Sequence, residues 1–172
     1  LMVVTGLPKE EDSLGQHIEK LQADMALLSH DGSNPHLRNN VLQGFRDVSD
    51  KLNEDYGKIL ELQQDADQQI EGAVKELNYA LNEIARLNAP KNDQINSEQR
   101  HRHIKTLAKY FDISTNQREG NQIAVHTNSG IELIDPNPAV LTYTSQSKGH
   151  PSQSYANGDL NGIQINGIDV TH

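Results

Sequence analysis

The chain of 172 residues has no cysteine and no tryptophan, and its aromatic residues are five tyrosines and two phenylalanines. The absence of cysteine excludes a disulfide framework and thiol chemistry. It fits either the cytosol or a protein exported as an unfolded chain that must not cross-link on the way. With so few aromatics, any core must be built from Leu, Ile, Val and Ala, which suits long thin helices better than a compact globule. Basic charge is scarce too: 15 Lys and Arg stand against 24 Asp and Glu, a formal charge of −9. That balance argues against binding a nucleic-acid backbone or an anionic membrane, because both need clustered cations. No apolar run approaches the roughly eighteen residues that span a bilayer. The opening Leu1-Met2-Val3-Val4 is short and has no basic stretch before it. The sequence therefore reads as soluble and as cut from something longer, with room for one ordinary domain or a helical unit plus a small second one.

What is present changes character near Asp112. Residues 1–111 carry 31 of the 39 charged side chains, and the last 61 residues carry eight. Before the change, apolar residues recur at helical spacing. A first helix is expected over about 13–29, capped by Asp12 or Ser13, with Leu14, Ile18, Leu21, Met25 and Leu28 on one stripe. The carboxylates Glu10, Glu11 and Asp12 favour the positive end of its dipole. His30-Asp31-Gly32-Ser33 breaks the pattern, and Asn34-Pro35 restarts it with a cap and a proline at the first helical position.

The next proline is Pro90. Between them the stripe runs Val41, Phe45, Val48, Leu52, Ile59, Leu62, Ala66, Ile70, Val74, Leu77, Leu81 and Ile84, with charged and amide residues on the other faces. A helix over 35–88 would be roughly 80 Å long at 1.5 Å per residue. Such a helix buries its stripe against other long helices, as coiled coils do. Steps of four from Leu62 to Val74 should locally unwind a left-handed supercoil. Gly44, Gly57 and Gly72 each cost roughly 1 kcal/mol against Ala, so packing partners must hold the helix. A third helix over about 97–111 places Ile104, Leu107, Ala108 and Phe111 on one side and can fold back antiparallel.

Beyond Asp112 the pattern turns to period two: Gln122–Thr127, Ile131–Ile134 and Val140–Thr144 read as short strands. Glu119-Gly120-Asn121 and Asn128-Ser129-Gly130 read as hairpin turns. Asn166-Gly167, between Ile163–Ile165 and Ile168–Val170, is the strongest hairpin signal in the chain. Ser145–Gly158 reads as a polar, flexible stretch. The expected class is α+β, with a long antiparallel helical bundle or coiled-coil-like rod (1–111) followed by a small antiparallel β region (112–172).

Catalytic or cofactor chemistry finds little footing. His101 and His103 lie two apart on a helix, so they point to nearly opposite sides and cannot share a metal. There is no H-E-x-x-H pair. Asp65 and Asp67 begin like a calcium loop, but Ile70 occupies the position where the sharp turn needs glycine. Ser97, Ser114 and Ser145 lack a nucleophile-elbow setting, and no glycine-rich loop opens a helix after a strand. No catalytic residue, metal site or cofactor is expected.

Several blocks resemble the FlgK family of flagellar hook-associated proteins. Asn34-Pro35-His36-Leu37-Arg38-Asn39-Asn40-Val41-Leu42 is similar to the family's entry into its long helix. Asp67–Ile70, Val74–Asn78 and Asn82–Asn88 are similar to its D-x-x-I, V-x-x-I/L-N and I-A-x-L-N pattern. Ile95–His101 keeps the Gln99-Arg100 centre of a Gln-Arg-Asp block, with Glu98 and His101 in place of the flanking aspartates. Val125–Gly130 through Leu133-Ile134-Asp135 resembles the β segment that follows. The resemblance covers residues 30–135.

It implies an exported, extracellular axial protein at the hook-filament junction. Its stripe of Val41, Phe45, Val48, Leu52, Ile59, Leu62, Ile70, Val74, Leu77, Leu81 and Ile84 would serve packing and assembly. The implied partners are the hook protein, neighbouring hook-associated proteins, copies of itself and an export chaperone. The family's terminal helices are absent from the sequence, so part of the stripe from Phe45 to Ile84 should be exposed. Flagellin or the third hook-associated protein, and a periplasmic helical sensor with a ligand between its helices, are the alternative readings. A hydrolase using His101 or His103 is a further one.

Overall fold

The structure, a computed structural model, describes residues 12–88, 94–145, 150, 153, 155 and 158–171. The opening apolar run, Glu10, Glu11, Ala89-Pro90 and residues 146–149 lie outside these. The chain divides into two compact units, residues 1–65 with 149–152 and residues 66–148 with 153–172.

In the first unit, helix α1 (Leu14–His30) starts at Ser13, whose Oγ accepts from the Gln16 amide at 3.3 Å. Helix α2 (Pro35–Leu87) begins after Asn34, whose Oδ1 accepts from the His36 amide at 3.0 Å. Arg38 donates through Nε and Nη2 to the Gly32 carbonyl at 2.9 and 2.6 Å, closing the turn between the helices. The two run antiparallel: Lys20 reaches Asp47 at 3.8 Å, and Leu21 sits on Gly44. A Cβ at Gly44 would lie 3.0 Å from Leu21 Cδ1, so the glycine sets how closely the helices approach. Leu21 and Val41 are buried along this contact side.

The second unit takes α2 from Ala66 onward, helix α3 (Gln94–Leu107) and two antiparallel three-stranded sheets. One sheet has the order β1 (Ile113–Gln117), β2 (Ile123–Thr127), β3 (Glu132–Ile134). The other joins β4 (Leu141–Thr142), β5 (Gln164–Ile165) and β6 (Ile168–Asp169). Asn166 and Gly167 both have positive φ, 51° and 82°, which the two-residue β5–β6 hairpin requires and which asparagine and glycine tolerate. α3 runs back along α2: Arg100 meets Asn88, His103 lies edge-on to Tyr79, and Tyr110 bonds Glu76. The core joins Val74, Leu77, Leu81 and Ile84 of α2 with Leu107, Val125, Leu133, Ile134, Leu141 and Ile165.

The α+β class matches the expectation, and the first two helices fall within a residue of their expected bounds. α3 does not: it begins at Gln94 and ends at Leu107, not over 97–111. After Leu107 the turns tighten, with Lys109 bonding Thr106 and Tyr110 bonding Leu107, before the chain enters β1. Phe111 still packs on the core. β1 was not expected as a strand, because Ile-Ser-Thr-Asn-Gln carries no apolar alternation. Its register, Ile113 to Thr127 through Gln117 to Ile123, comes from its partner β2.

Candidate assembly surface

Asparagines on α2 fix the β elements to it. Asn78 donates from Nδ2 to the Leu141 carbonyl at 2.8 Å and accepts the Leu141 amide on Oδ1 at 2.9 Å. Asn88 does the same for Ile123, at 2.8 and 3.1 Å. Each carboxamide thus pairs with both main-chain groups of one strand residue, as a neighbouring strand would. Arg100, 3% exposed, adds its Nη1 to Asn88 Oδ1 at 3.2 Å. That charged donor fixes which way the amide faces, and burial pulls the Arg100 pKa down. Asp67 makes a third tie, accepting from the Tyr143 hydroxyl and from Ser145 at 3.0 Å.

These ties consume one half of the apolar stripe. Val74, Leu77, Leu81 and Ile84 are buried by α3 and the sheets, and Ile70 is partly buried against the same core. In the first unit Val41 is buried, while Val48 and Ile59 are partly so. Phe45, Leu52 and Leu62 are exposed. Leu42 and Tyr56 join them, and these five side chains are between 45 and 56% accessible. Leu42, Phe45, Leu52 and Tyr56 follow steps of three, seven and four, which keeps them on one side of an α-helix. A narrow single-stripe reading passed over Leu42 and Tyr56; the spacing of Leu42 to Phe45 and Leu52 to Tyr56 was the signal for them.

One position interrupts the apolar series. Asp55 follows Leu52 by three residues and precedes Ile59 by four, where a hydrophobic residue would continue the repeat. It is 3% exposed, and neither carboxylate oxygen accepts a hydrogen bond; Lys51 Nζ, itself 8% exposed, lies 3.5 Å away. Lys51 also reaches Glu54 at 3.3 Å and Asp12 at 3.4 Å. Burial alone would lower the Lys51 pKa, but hydrogen bonds to Glu54 and Asp12 and the Asp55 charge hold it above the ordinary value. His17, then Lys51, depresses the Asp12 pKa, and Lys58, then Lys51, depresses that of Glu54.

Of the residues weighed for chemistry, His103 meets Tyr79 edge-on with centroids 5.8 Å apart, and His101 is exposed. Asp65 and Asp67 are helical. Among the described residues, no group of three or more His, Cys, Asp or Glu could hold a metal. No described helix is long and apolar enough to cross a membrane.

The family model of the flagellar hook-associated protein FlgK helical domain matches residues 5–168. None of the curated proteins compared matches the chain. Among solved structures, the flagellar hook junction protein FlgK from Burkholderia pseudomallei is similar in fold. Its TM-score is 0.73 at 18% identity over 94% of this chain, and the match spans 28% of that protein's length. The Asn78 and Asn88 ties, the Arg100 contact and the long stripe of α2 all lie within the matched residues, and the chain belongs to the FlgK helical-domain family of flagellar hook-associated proteins.

Proposed function

We propose that the chain is a structural segment of a hook-filament junction protein, secreted to the extracellular flagellum, that assembles through the uncovered flank of α2 and performs no catalysis. The observation that carries this reading is the apolar flank Leu42, Phe45, Leu52 and Tyr56, left open on a helix whose later apolar positions are buried. A contiguous apolar surface of that kind marks an interaction site. Further long helices, packing knobs into holes along the flank, are the occupants such spacing fits. They belong to the intact polypeptide, to copies of it, or to the neighbouring hook and hook-associated proteins. An export chaperone would shield the same flank before assembly. The helical part, 1–111, supplies these contacts, and the β-rich part, 112–172, faces outward.

The test is a photo-cross-linkable residue placed at Phe45 or at Leu52 in the intact protein assembled into flagella, with exposed Lys75 as the control position. Positions 45 and 52 are expected to capture an axial helix, and Lys75 is not. A gain in mass identifies a neighbouring subunit, and a mobility change without one identifies the same polypeptide. If positions 45 and 52 capture nothing in assembled flagella, the reading is wrong.

A further inference from the structure

β1 is the edge of its sheet, and Ser114, Thr115, Asn116 and Gln117 on it are all exposed. The opposite edge of the same sheet is closed by the chain itself, where Ala139 bonds the Leu133 carbonyl and Pro138 bridges Ile134. Parity decides which main-chain groups of β1 face outward. The Asn128 amide donates to the Asp112 carbonyl and the Arg118 amide to that of Gln122, in step with the β1–β2 register. Asp112, Ser114, Asn116 and Arg118 therefore turn their N–H and C=O groups toward β2, and Ile113, Thr115 and Gln117 turn theirs away from it. Edge strands are ordinarily guarded by charge, proline or a bulge. Ile113–Gln117 carries neither charge nor proline, and its pairing with β2 runs without a bulge.

The residues at the two ends select the partner. Asp112 stands just before the strand and Arg118 just after it, and both are exposed. A second β1 laid antiparallel about a two-fold axis through Thr115 sets Ile113 against Gln117 and Thr115 against its own copy. Those are the residues whose main-chain groups face outward, so the pair closes about six hydrogen bonds. The same axis sets Asp112 against Arg118 at both ends, in the non-hydrogen-bonded pairing where side chains approach closest. Arg118 spends Nη2 on Asp135, and its guanidinium has further donors for a second carboxylate. The contact is neutral although the chain carries a net charge of −9. A strand of other sequence could use the main chain, but this sign pattern is matched by the strand itself. We propose that two copies of the chain associate through antiparallel β1 edges, joining two three-stranded sheets into one. A two-fold contact closes on itself, so this pair, separate from the α2 flank, describes chains outside an axial polymer.

The chain has no cysteine, so Asn128→Cys gives a single attachment site for a nitroxide on the exposed turn after β2. In the pair the two labels are separated by three strand spacings of about 4.8 Å and an offset of about six residues at roughly 3.4 Å each, which places them about 25 Å apart. Sedimentation equilibrium and double electron–electron resonance are run on a Phe45→Ser, Leu52→Ser background, which silences the apolar flank. A dimer is expected with a Kd on the order of 100 µM and an inter-label distance near that value. Thr115→Pro removes an outward N–H while leaving the β2 bonds in place, and is expected to weaken the dimer about ten-fold. If that variant does not fold, Asp112→Asn and Asp112→Arg decide alone: they should weaken the dimer in that order, the arginine by about five-fold. Asp112→Arg also brings the net charge closer to zero, which would tighten a non-specific association. A strict monomer at about 1 mM overturns the proposal. So does a dimer with a different label distance, or one that Thr115→Pro or Asp112→Arg leaves intact.

Discussion

Asn78 in α2 holds both backbone groups of Leu141 in β4, and a second asparagine ten residues later holds Ile123 in β2 the same way. Removing either carboxamide leaves an N–H and a C=O of a packed strand without partners. Asn78→Ala and Asn88→Ala are each expected to destabilise the second unit by about 1–3 kcal/mol. Hydrogen exchange at the Leu141 and Ile123 amides reads each clamp separately. Unchanged protection of Leu141 in Asn78→Ala would show that the clamp contributes nothing.

The helical glycines divide by surroundings. Nothing lies within 4 Å of a Cβ added at Gly57 or Gly72, whereas at Gly44 it would press on Leu21 at 3.0 Å. Gly57→Ala and Gly72→Ala should each stabilise by roughly 1 kcal/mol through helix propensity. Gly44→Ala should gain less or lose, because Leu21 must give way. Denaturant titrations of the three variants check the ranking, and an equal gain at all three would contradict the close approach.

Lys51 and Asp55 form a nearly enclosed ion pair, so deleting one partner strands the other. Lys51→Ala is expected to cost roughly 2 kcal/mol, less than a fully enclosed pair because Glu54 and Asp12 stay in contact with water. The double change Lys51→Leu with Asp55→Leu should recover that loss while broadening self-association, since a polar group in an apolar series specifies register. Sedimentation and thermal unfolding together decide it. The same cluster sets two pH dependences of stability. Asp12 and Glu54 have depressed pKa values, so their contribution is present above the ordinary carboxylate range and disappears as pH falls through the folded values. Lys51, with a raised pKa, contributes below its ordinary value of 10.5 and loses that contribution as pH rises through its higher folded value.

Tyr143 titrates late. Burial, and then its bond to the Asp67 carboxylate, push its pKa from 10.0 up to about 12. The folded state therefore keeps a proton that the unfolded chain loses, and stability contributed by this group falls between those two pH values. Tyr110 and Tyr155 are also raised, by the Glu76 hydrogen bond and by burial respectively, so phenolate absorbance should show Tyr143 as the last step in the folded protein. Tyr143→Phe, or Asp67→Asn with a smaller shift, should abolish or reduce that step.

The start of α2, its length and the β5–β6 hairpin were legible because each has a local cause: Asn34-Pro35, a sustained apolar period, and Asn166-Gly167 with two positive φ values. The end of α3 and the existence of β1 were not legible, since both depend on residues far away in sequence. Ile113–Gln117 becomes a strand by pairing with β2, which its own side chains do not announce. The stripe and the exposure of part of it were visible, but where the covered part begins was not. Periodicity reports that a face is apolar, whereas Asn78, Asn88 and Arg100 decide where the chain covers it. The resemblance blocks containing those three residues showed helical spacing without revealing that they meet strand backbones.

The division of the α2 stripe has a consequence for how such sequences change over time. Substitutions at Val74, Leu77, Leu81 and Ile84 are answered by residues of the same chain, such as Leu107 and Leu133, which mutate alongside them in one coding sequence. Phe45 and Leu52 answer to whatever occupies the flank. Across relatives, covariation should therefore couple the first set to positions 104–165, and the second set to positions of whichever helix occupies the flank.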